Sequence, residues 1–497
     1  MHLITVVAIG LAMVSKTTAI LIPSSPPSSA KPVDSSLLSV SIEFFTFPAY
    51  TQIQATTNCL ANIATLRGAE PAIRIGGTTQ DRATYNPTLS TAVNYTVASP
   101  ADAPASLTYG PSFFSLASQM KGDVTVGLNR QLNNQAITLQ AAQQAKQSIG
   151  NLFAIELGNE PEFYASNSPV IPSGQSWNQD TDAASEKSWF STFSGSVGNI
   201  FQGAVYLSWN AGGLLSRIGS DGARFLKSIS RHSYPQSACG GASTNLPSLM
   251  SHSGIVSYTR QYQSEATAVH AVGLKYFLGE TNSATCGGGG ISPTFGAALW
   301  IVDYVLQGAL NGVDRLYFHQ GTIGNCASFA LNNCMTSVTN IIFIVQAYCF
   351  WGTSSIFTPY YGVAFVSEFL GTDGAKVAML DDGTSAIGVY VVYSSSNVPL
   401  RILVLNSNYF DGSGTRSPTS VSFTGLSTSS STKQAKRLTA PNATSRSDQG
   451  AAVTIGGSAS FASNCARAGT QNTESVSANG GSMSVSLQAA EALIVFL

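Results

Sequence analysis

Apolar positions along this chain concentrate eight times into short β-branched or aromatic runs. They are LLSVSIEFF (37–45), AIRIGG (72–77), VTVGLN (124–129), LFAIELGNE (152–160), AVYLSWN (204–210), SISRHSY (228–234), KYFLGE (275–280) and RLYFHQ (315–320). Such runs fit strands buried on both faces. Helical periods separate them, among them AITLQAAQQAKQSI (136–149) and TFGAALWIVDYVLQGALN (294–311). Eight strands alternating with helices predict an α/β fold, a (β/α)8 TIM barrel. Polar residues gather at the carboxyl ends of the runs: Glu43, Arg74, Asn129, Glu160, Asn210, Tyr234, Glu280 and Gln320. In this fold that end carries the active site.

Beyond about residue 355 the texture changes. Short runs (GVAFVSEFL, KVAMLD, IGVYVVY, RILVLN, TSVSFTG, MSVSLQ, EALIVFL) follow one another between Gly, Ser, Asn and Asp turns. They predict a C-terminal antiparallel β-sandwich domain over 356–497, after a catalytic barrel over 37–355. The Pro/Ser-rich stretch 20–36 reads as an extended lead-in. Residues 1–19 read as a signal peptide: Leu3 to Val14 is apolar but too short to span a bilayer, and Thr17-Thr18-Ala19 offers small residues for cleavage. The expected address is secreted, without stable membrane insertion.

Composition sharpens this picture. Only 10% of residues are charged, against roughly 25% in an average protein. Hydroxyl and amide side chains replace them. Net charge is −1 and no block of Lys or Arg occurs, so nucleic acid is excluded as a partner on electrostatic grounds. Seven cysteines stand at 59, 239, 286, 326, 334, 349 and 465. They lack metal-ligand spacing, and neither a metal nor a cofactor is expected. Cys239 and Cys286 both follow strand ends on one barrel face and are positioned to pair; Cys326 and Cys334 can staple one loop. Asn94-Tyr-Thr and Asn442-Ala-Thr are glycosylation sequons.

The chemistry lies in two strand-end carboxylates. Asn159-Glu160-Pro161 closes the fourth run and Glu280 closes the seventh. Glycoside hydrolysis needs such a pair: one carboxyl protonates a leaving oxygen while the other attacks or shields the anomeric carbon. Tyr234 is placed to hydrogen-bond Glu280, and Arg74 to hold either carboxylate by a charge-assisted bond. His319 and Gln320 end the eighth run within reach of a sugar. A non-catalytic carbohydrate-binding protein of the same fold is the rival reading, and it has no need of both glutamates.

RIGGTTQD (74–81), IELGNEP (155–161) and GETNSATCGGG (279–289) together resemble glycoside hydrolase family 79, the family of β-glucuronidases and heparanases. The resemblance covers nearly the whole chain. It implies a retaining enzyme acting on β-linked uronic acids in a glycan, a β-glucuronidase or 4-O-methyl-glucuronidase; a retaining β-glycosidase for neutral sugars is the alternative. It implies Glu160 as acid/base, Glu280 as nucleophile and Asn159 as donor to the sugar 2-hydroxyl. It further implies substrate contacts from Glu43, from Thr78 after Gly76-Gly77, and from the glycine loop at Gly287 and Gly288. The family also places a tyrosine shortly after the nucleophile and another after the eighth strand, both serving the uronate. This chain reads Thr285-Cys286 and GTIGNCASF there.

Overall fold

The structure is a computed structural model that describes residues 19–99, 101–321 and 349–497. The signal-peptide reading therefore lies, up to Ala19, outside the described residues. So do Cys326, Cys334 and all but the first residue of GTIGNCASF.

Eight parallel strands close into a barrel. They are β1 Leu38–Glu43, β2 Ile73–Gly76, β3 Val124–Leu128, β4 Leu152–Leu157, β5 Phe201–Tyr206, β6 Leu226–Ser233, β7 Lys275–Thr281 and β8 Arg315–Gln320. Helices alternate with them: α1 Gln54–Arg67, α2 Gln135–Ser148, α3 Gln179–Val197, α4 Gly213–Ala223, α5 His252–Thr259, α6 Tyr262–His270 and α7 Phe295–Leu310. Local chemistry sets several of their ends. Asn134 and Thr294 cap α2 and α7 with side-chain oxygens, and Gly68 ends α1 in the left-handed region.

The fifth strand departs from expectation. It spans 201–206, not 204–210, because Ala204 and Val205 adopt positive φ and the pairing with β6 slips there. The chain leaves the sheet after this bulge. Asn210 consequently lies beyond the strand, where its Oδ1 accepts from the Gly213 N–H at the start of α4.

A mostly antiparallel sheet of 11 strands follows the barrel. Its long members are β9 Lys376–Met379, β10 Ile387–Tyr393, β11 Pro399–Asn406, β12 Pro418–Thr424, β13 Ser431–Thr439, β14 Glu474–Asn479, β15 Ser482–Gln488 and β16 Glu491–Phe496. Val389 and Ile402 from one end of the sheet share a core with Val421, Val476 and Val485 from the other, so the sheet folds over on itself.

Two features differ from the sequence reading here. GVAFVSEFL is helical: it lies in α8, Pro359–Leu370, and not in a strand. Pro359 opens that helix and Gly371 closes it, and its residues are buried almost all round between α1, α7 and the C-terminal sheet. Such burial hides the 3.6-residue period. A helix packed against the barrel helices α1 and α7 thus lies past residue 355. The lead-in is also more than a connector. Ile20–Leu21 pairs with β12 and Lys31–Pro32 with β9, so the lead-in and the C-terminal strands build one sheet.

Candidate active site

Glu280 sits at the carboxyl end of β7, in a ring of donors from neighbouring strands. Arg74 Nη1 reaches Glu280 Oε2 at 2.8 Å, and the Tyr234 hydroxyl donates to Oε1 at 2.7 Å. His319 Nδ1 stands 3.6 Å from Oε2 and 2.9 Å from the Ser41 hydroxyl. Burial alone would raise the Glu280 carboxyl. Attraction to His319, His232 and Arg74, with the Tyr234 O–H, outweighs burial and holds it well below the usual carboxylate range. For His319 burial acts downward, but Glu280 and Glu43 prevail and raise its pKa.

Arg74 is itself wholly buried inside the barrel. Its other nitrogens bond Glu156 on β4, at 2.6 Å from Nη2 and 3.0 Å from Nε. Gln202 on β5 completes that carboxylate at 2.8 Å. A buried cation with two carboxylate partners keeps one fixed pose, and Glu280 inherits its orientation from it.

Glu160 is held differently. It lies past the end of β4 in the left-handed region, with φ 46 and ψ 57, a costly pose for a residue other than glycine. Its neighbours hold that turn. Asp81 Oδ2 accepts from the Asn159 N–H and the Tyr164 hydroxyl, each at 2.7 Å. The Glu160 N–H donates to the Val205 carbonyl at 3.0 Å, on the bulge of β5. His232, buried on β6, meets Glu160 Oε1 through Nδ1 at 2.8 Å. Asn159 Oδ1 accepts from Arg74 Nη2 at 2.8 Å, which leaves the amide Nδ2 to donate elsewhere.

One atom from each of Glu160, His232 and Glu280 lies within 4.8 Å of the other two. A cation would find two carboxylates there, but the Arg74 guanidinium already on Glu280 opposes it. The arrangement suits two carboxyl groups facing a common substrate atom.

A cavity of about 770 Å³ opens onto the pair, a size that accepts drug-sized ligands. Glu43, Thr78, Glu160, Tyr234, Glu280 and His319 line it. Glu43 accepts from the Thr79 hydroxyl and from the Thr79 N–H at 3.0 Å. The loop after β2 passes so close that a Cβ on Gly77, at φ 111, would collide with the Glu43 carboxylate. Four expected contacts are not among its lining residues: Asn159, held on Arg74, and Gln320, Gly287 and Gly288. Gln320 turns away: its Oε1 accepts from the Phe350 N–H at 2.7 Å and its Nε2 donates to the Phe318 carbonyl. Gly287 and Gly288 are not in the lining, which Thr285 and Cys286 join instead. The Gly288 carbonyl accepts from Ser292. Cys239 and Cys286 form the disulfide that their strand ends suggested, at the cavity rim.

His232, Glu156 and Asp81 had not been singled out from sequence. A signal for two of them existed. His232 lies two residues before Tyr234 and so shares its strand face, and Glu156 is a charge inside an otherwise apolar buried run. Asp81 has no comparable sequence pattern; only the folded loop brings it beneath residue 159.

A closed parallel barrel that sets two carboxylates together at its strand ends, one on an arginine and a tyrosine and the other on a histidine, defines a glycoside hydrolase. Residues 389–494 match the glycosyl hydrolase family 79 C-terminal beta domain. The chain is 30% identical over 431 residues to a β-glucuronidase of Aspergillus niger, covering 79% of this chain and 75% of that protein. It belongs to glycoside hydrolase family 79. A β-glucuronidase of Neurospora crassa is 29% identical over 429 residues, 76% of this chain and 73% of its own. Among solved structures, a 4-O-α-L-rhamnosyl-β-D-glucuronidase from Fusarium oxysporum 12S superposes with a TM-score of 0.88 at 42% identity, covering 96% of this chain and 100% of its own. AbfB, a family 51 α-L-arabinofuranosidase from Bifidobacterium longum, shares the fold alone, at a TM-score of 0.62 and 12% identity over 97% of this chain and 100% of its own.

Proposed function

We propose that this chain is a secreted retaining β-glucuronidase that removes β-linked glucuronate, or its 4-O-methyl form, from a glycan. The carrying observation is the closeness of the two carboxylates, with an oxygen of each inside a 4.8 Å cluster. Retaining glycosidases hold their carboxyls about 5–5.5 Å apart, and inverting ones roughly 6.5–9.5 Å apart to admit a water. Glu280, ionised by its donors, attacks the anomeric carbon and forms the glycosyl ester. Glu160 protonates the leaving oxygen, then takes a proton from the water that hydrolyses the ester. The Asn159 amide donates to the 2-hydroxyl, a bond that tightens as positive charge builds on the ring. Tyr234 and Arg74 hold Glu280 in place, and Glu43, Thr78 and His319 bind hydroxyls of the glycone.

The glucuronate preference is supported by the Aspergillus niger and Neurospora crassa relatives and by the Fusarium oxysporum structure, all three glucuronidases. The test compares kcat/KM for a 4-nitrophenyl β-glucuronide and the matching β-glucoside. The glucuronide is expected to lead by at least about tenfold, equivalent to ~1.4 kcal/mol. Equal rates would reassign the enzyme to neutral β-glycosides, the reading favoured by Thr285-Cys286 standing where the family carries a tyrosine.

A further inference from the structure

The turn that carries Glu160 also presents an apolar ring to the cavity. Pro161–Phe163 is a single 3-10 turn, and Phe163 lines the catalytic cavity with 62% of its surface exposed. It is the most exposed large apolar side chain among the described residues. Large rings are normally buried, and an isolated exposed one calls for a partner only if the protein holds it in place.

Phe163 is held. Its N–H donates to the Glu160 carbonyl at 3.0 Å, and the Tyr164 N–H to the Pro161 carbonyl at 3.1 Å. The Trp177 indole N–H reaches that same Pro161 carbonyl at 2.8 Å. Between them Glu162 Oε1 accepts from the N–H groups of Leu207 and Ser208, each at 2.7 Å, tying the turn to the loop after β5. The structure thus fixes the backbone beneath the ring and leaves the ring bare. Leu207, in that tethered loop, lines the cavity as well.

Position decides what the ring meets. An acid that protonates the leaving oxygen faces the leaving group, so residues on the Glu160 turn lie on that side of the bond. The cavity wall also contains Arg231, Gln236 and Ser237. An apolar ring within a polar wall suits a pyranose, which has a C–H face and a rim of hydroxyls. A wholly apolar aglycone would leave the polar groups unmatched.

We propose that Phe163, with Leu207 lining the same cavity, forms the leaving-group subsite and that the leaving group is a sugar ring stacked by its C–H face on the phenyl. This rests on Glu160 being the acid, not on the identity of the glycone. Phe163 is then a specificity residue: it selects a carbohydrate chain over a small aglycone.

The experiment uses two substrates with the glycone that the parent enzyme prefers, glucuronyl or neutral. One is the disaccharide with a neutral pyranose as leaving group. The other is the glycosyl fluoride, whose leaving group has no ring. The readout is the ratio of their kcat/KM values in Phe163→Ala, Phe163→Leu and Phe163→Trp. In the Ala and Leu variants the ratio should fall about tenfold or more, and in the Trp variant it should stay within about threefold of the parent. An unchanged ratio in Phe163→Ala overturns the subsite. So does a Trp variant that falls as far as Ala, since a ring is then not what matters. The 4-nitrophenyl glycoside serves as a third substrate: loss on it in Phe163→Ala without loss on the disaccharide overturns the sugar assignment. A failure of the glucuronate preference appears in the parent enzyme alone and leaves these ratios readable.

Discussion

Two glutamates of the same chemistry stand in opposite surroundings. Glu280 is gripped by Arg74 and Tyr234 and kept ionised. Glu160 has His232 at 2.8 Å and a left-handed backbone anchored by Asp81 through Asn159. Separate environments let two carboxyls take two roles. Chemical rescue separates those roles. Glu280→Ala should lose activity on the order of 10⁴-fold or more. Azide should restore it, with the α-glycosyl azide as product, because the anion enters from the vacated face. Glu160→Ala with an activated aryl substrate should give the β-azide. NMR of the azide anomers reads the result, and the reverse pairing would exchange the two assignments.

At the scale of elements, each site residue depends on a contact between units distant in sequence. The bulge in β5 supplies the carbonyl that fixes Glu160, and the loop after β2 supplies Asp81. The barrel and C-terminal sheet meet at a comparable junction. His252 on α5 bonds Asp303 of α7 at 2.8 Å through Nδ1 and Asp381, just after β9, at 2.9 Å through Nε2. Tyr390 on β10 closes the group by donating to Asp303, and Gln307 donates to Tyr390 at 2.7 Å. Burial would lower the His252 pKa; the two aspartates prevail and raise it to about 10. The sign follows from linkage. A histidine whose folded pKa is raised stabilises fully below its unfolded value of about 6.5, and loses that contribution as pH climbs toward the folded value. His252→Gln should therefore cost about 3–5 kcal/mol near pH 6, because it strands the buried Asp303 and the half-buried Asp381. The difference from the parent should shrink as pH rises through 9 to about 10. Denaturant unfolding at a series of pH values measures this; a pH-independent difference would refute the charged form.

For the whole molecule, the two parts are joined covalently as well as by packing. Cys59 on α1 pairs with Cys465, 406 residues away, in the C-terminal sheet region. The lead-in adds its short strands to that same sheet. Closing so long a loop restricts the unfolded chain, and such crosslinks contribute about 2–4 kcal/mol. Cys59→Ser should lower the temperature of unfolding, and a reductant should destabilise the variant less than the parent. Calorimetry with and without reductant tests this, and an identical response in both chains would remove the stabilising role. Disulfides of this kind fit an oxidising compartment, and no helix among the described residues is long and apolar enough to cross a membrane.

The barrel was legible because eight β-branched runs, each ending on a polar residue, repeat the local signature of a strand buried on both faces. The pair of strand-end carboxylates was legible because position and motif coincide at Glu160 and Glu280, and the structure brings the two within one cluster. Both readings use information confined to a few adjacent residues. What the sequence could not settle depends on long-range contacts. The fifth strand shifted because a bulge resets its register, and GVAFVSEFL became helix because burial on all sides erased its period. Gln320 turned inward to hold Phe350, and Cys286, bonded to Cys239, lines the cavity where Gly287 and Gly288 were expected. His232, Glu156 and Asp81 gained their roles from partners 72, 82 and 78 residues away. Sequence alone determined where the barrel strands fall, the fifth by overlap only, and which two carboxyls stand at their ends, since those are local choices of side-chain shape and polarity. Tertiary structure decided what surrounds each carboxyl, and therefore its orientation and, for Glu280, its charge, because electrostatics and hydrogen bonding act through space and not along the chain.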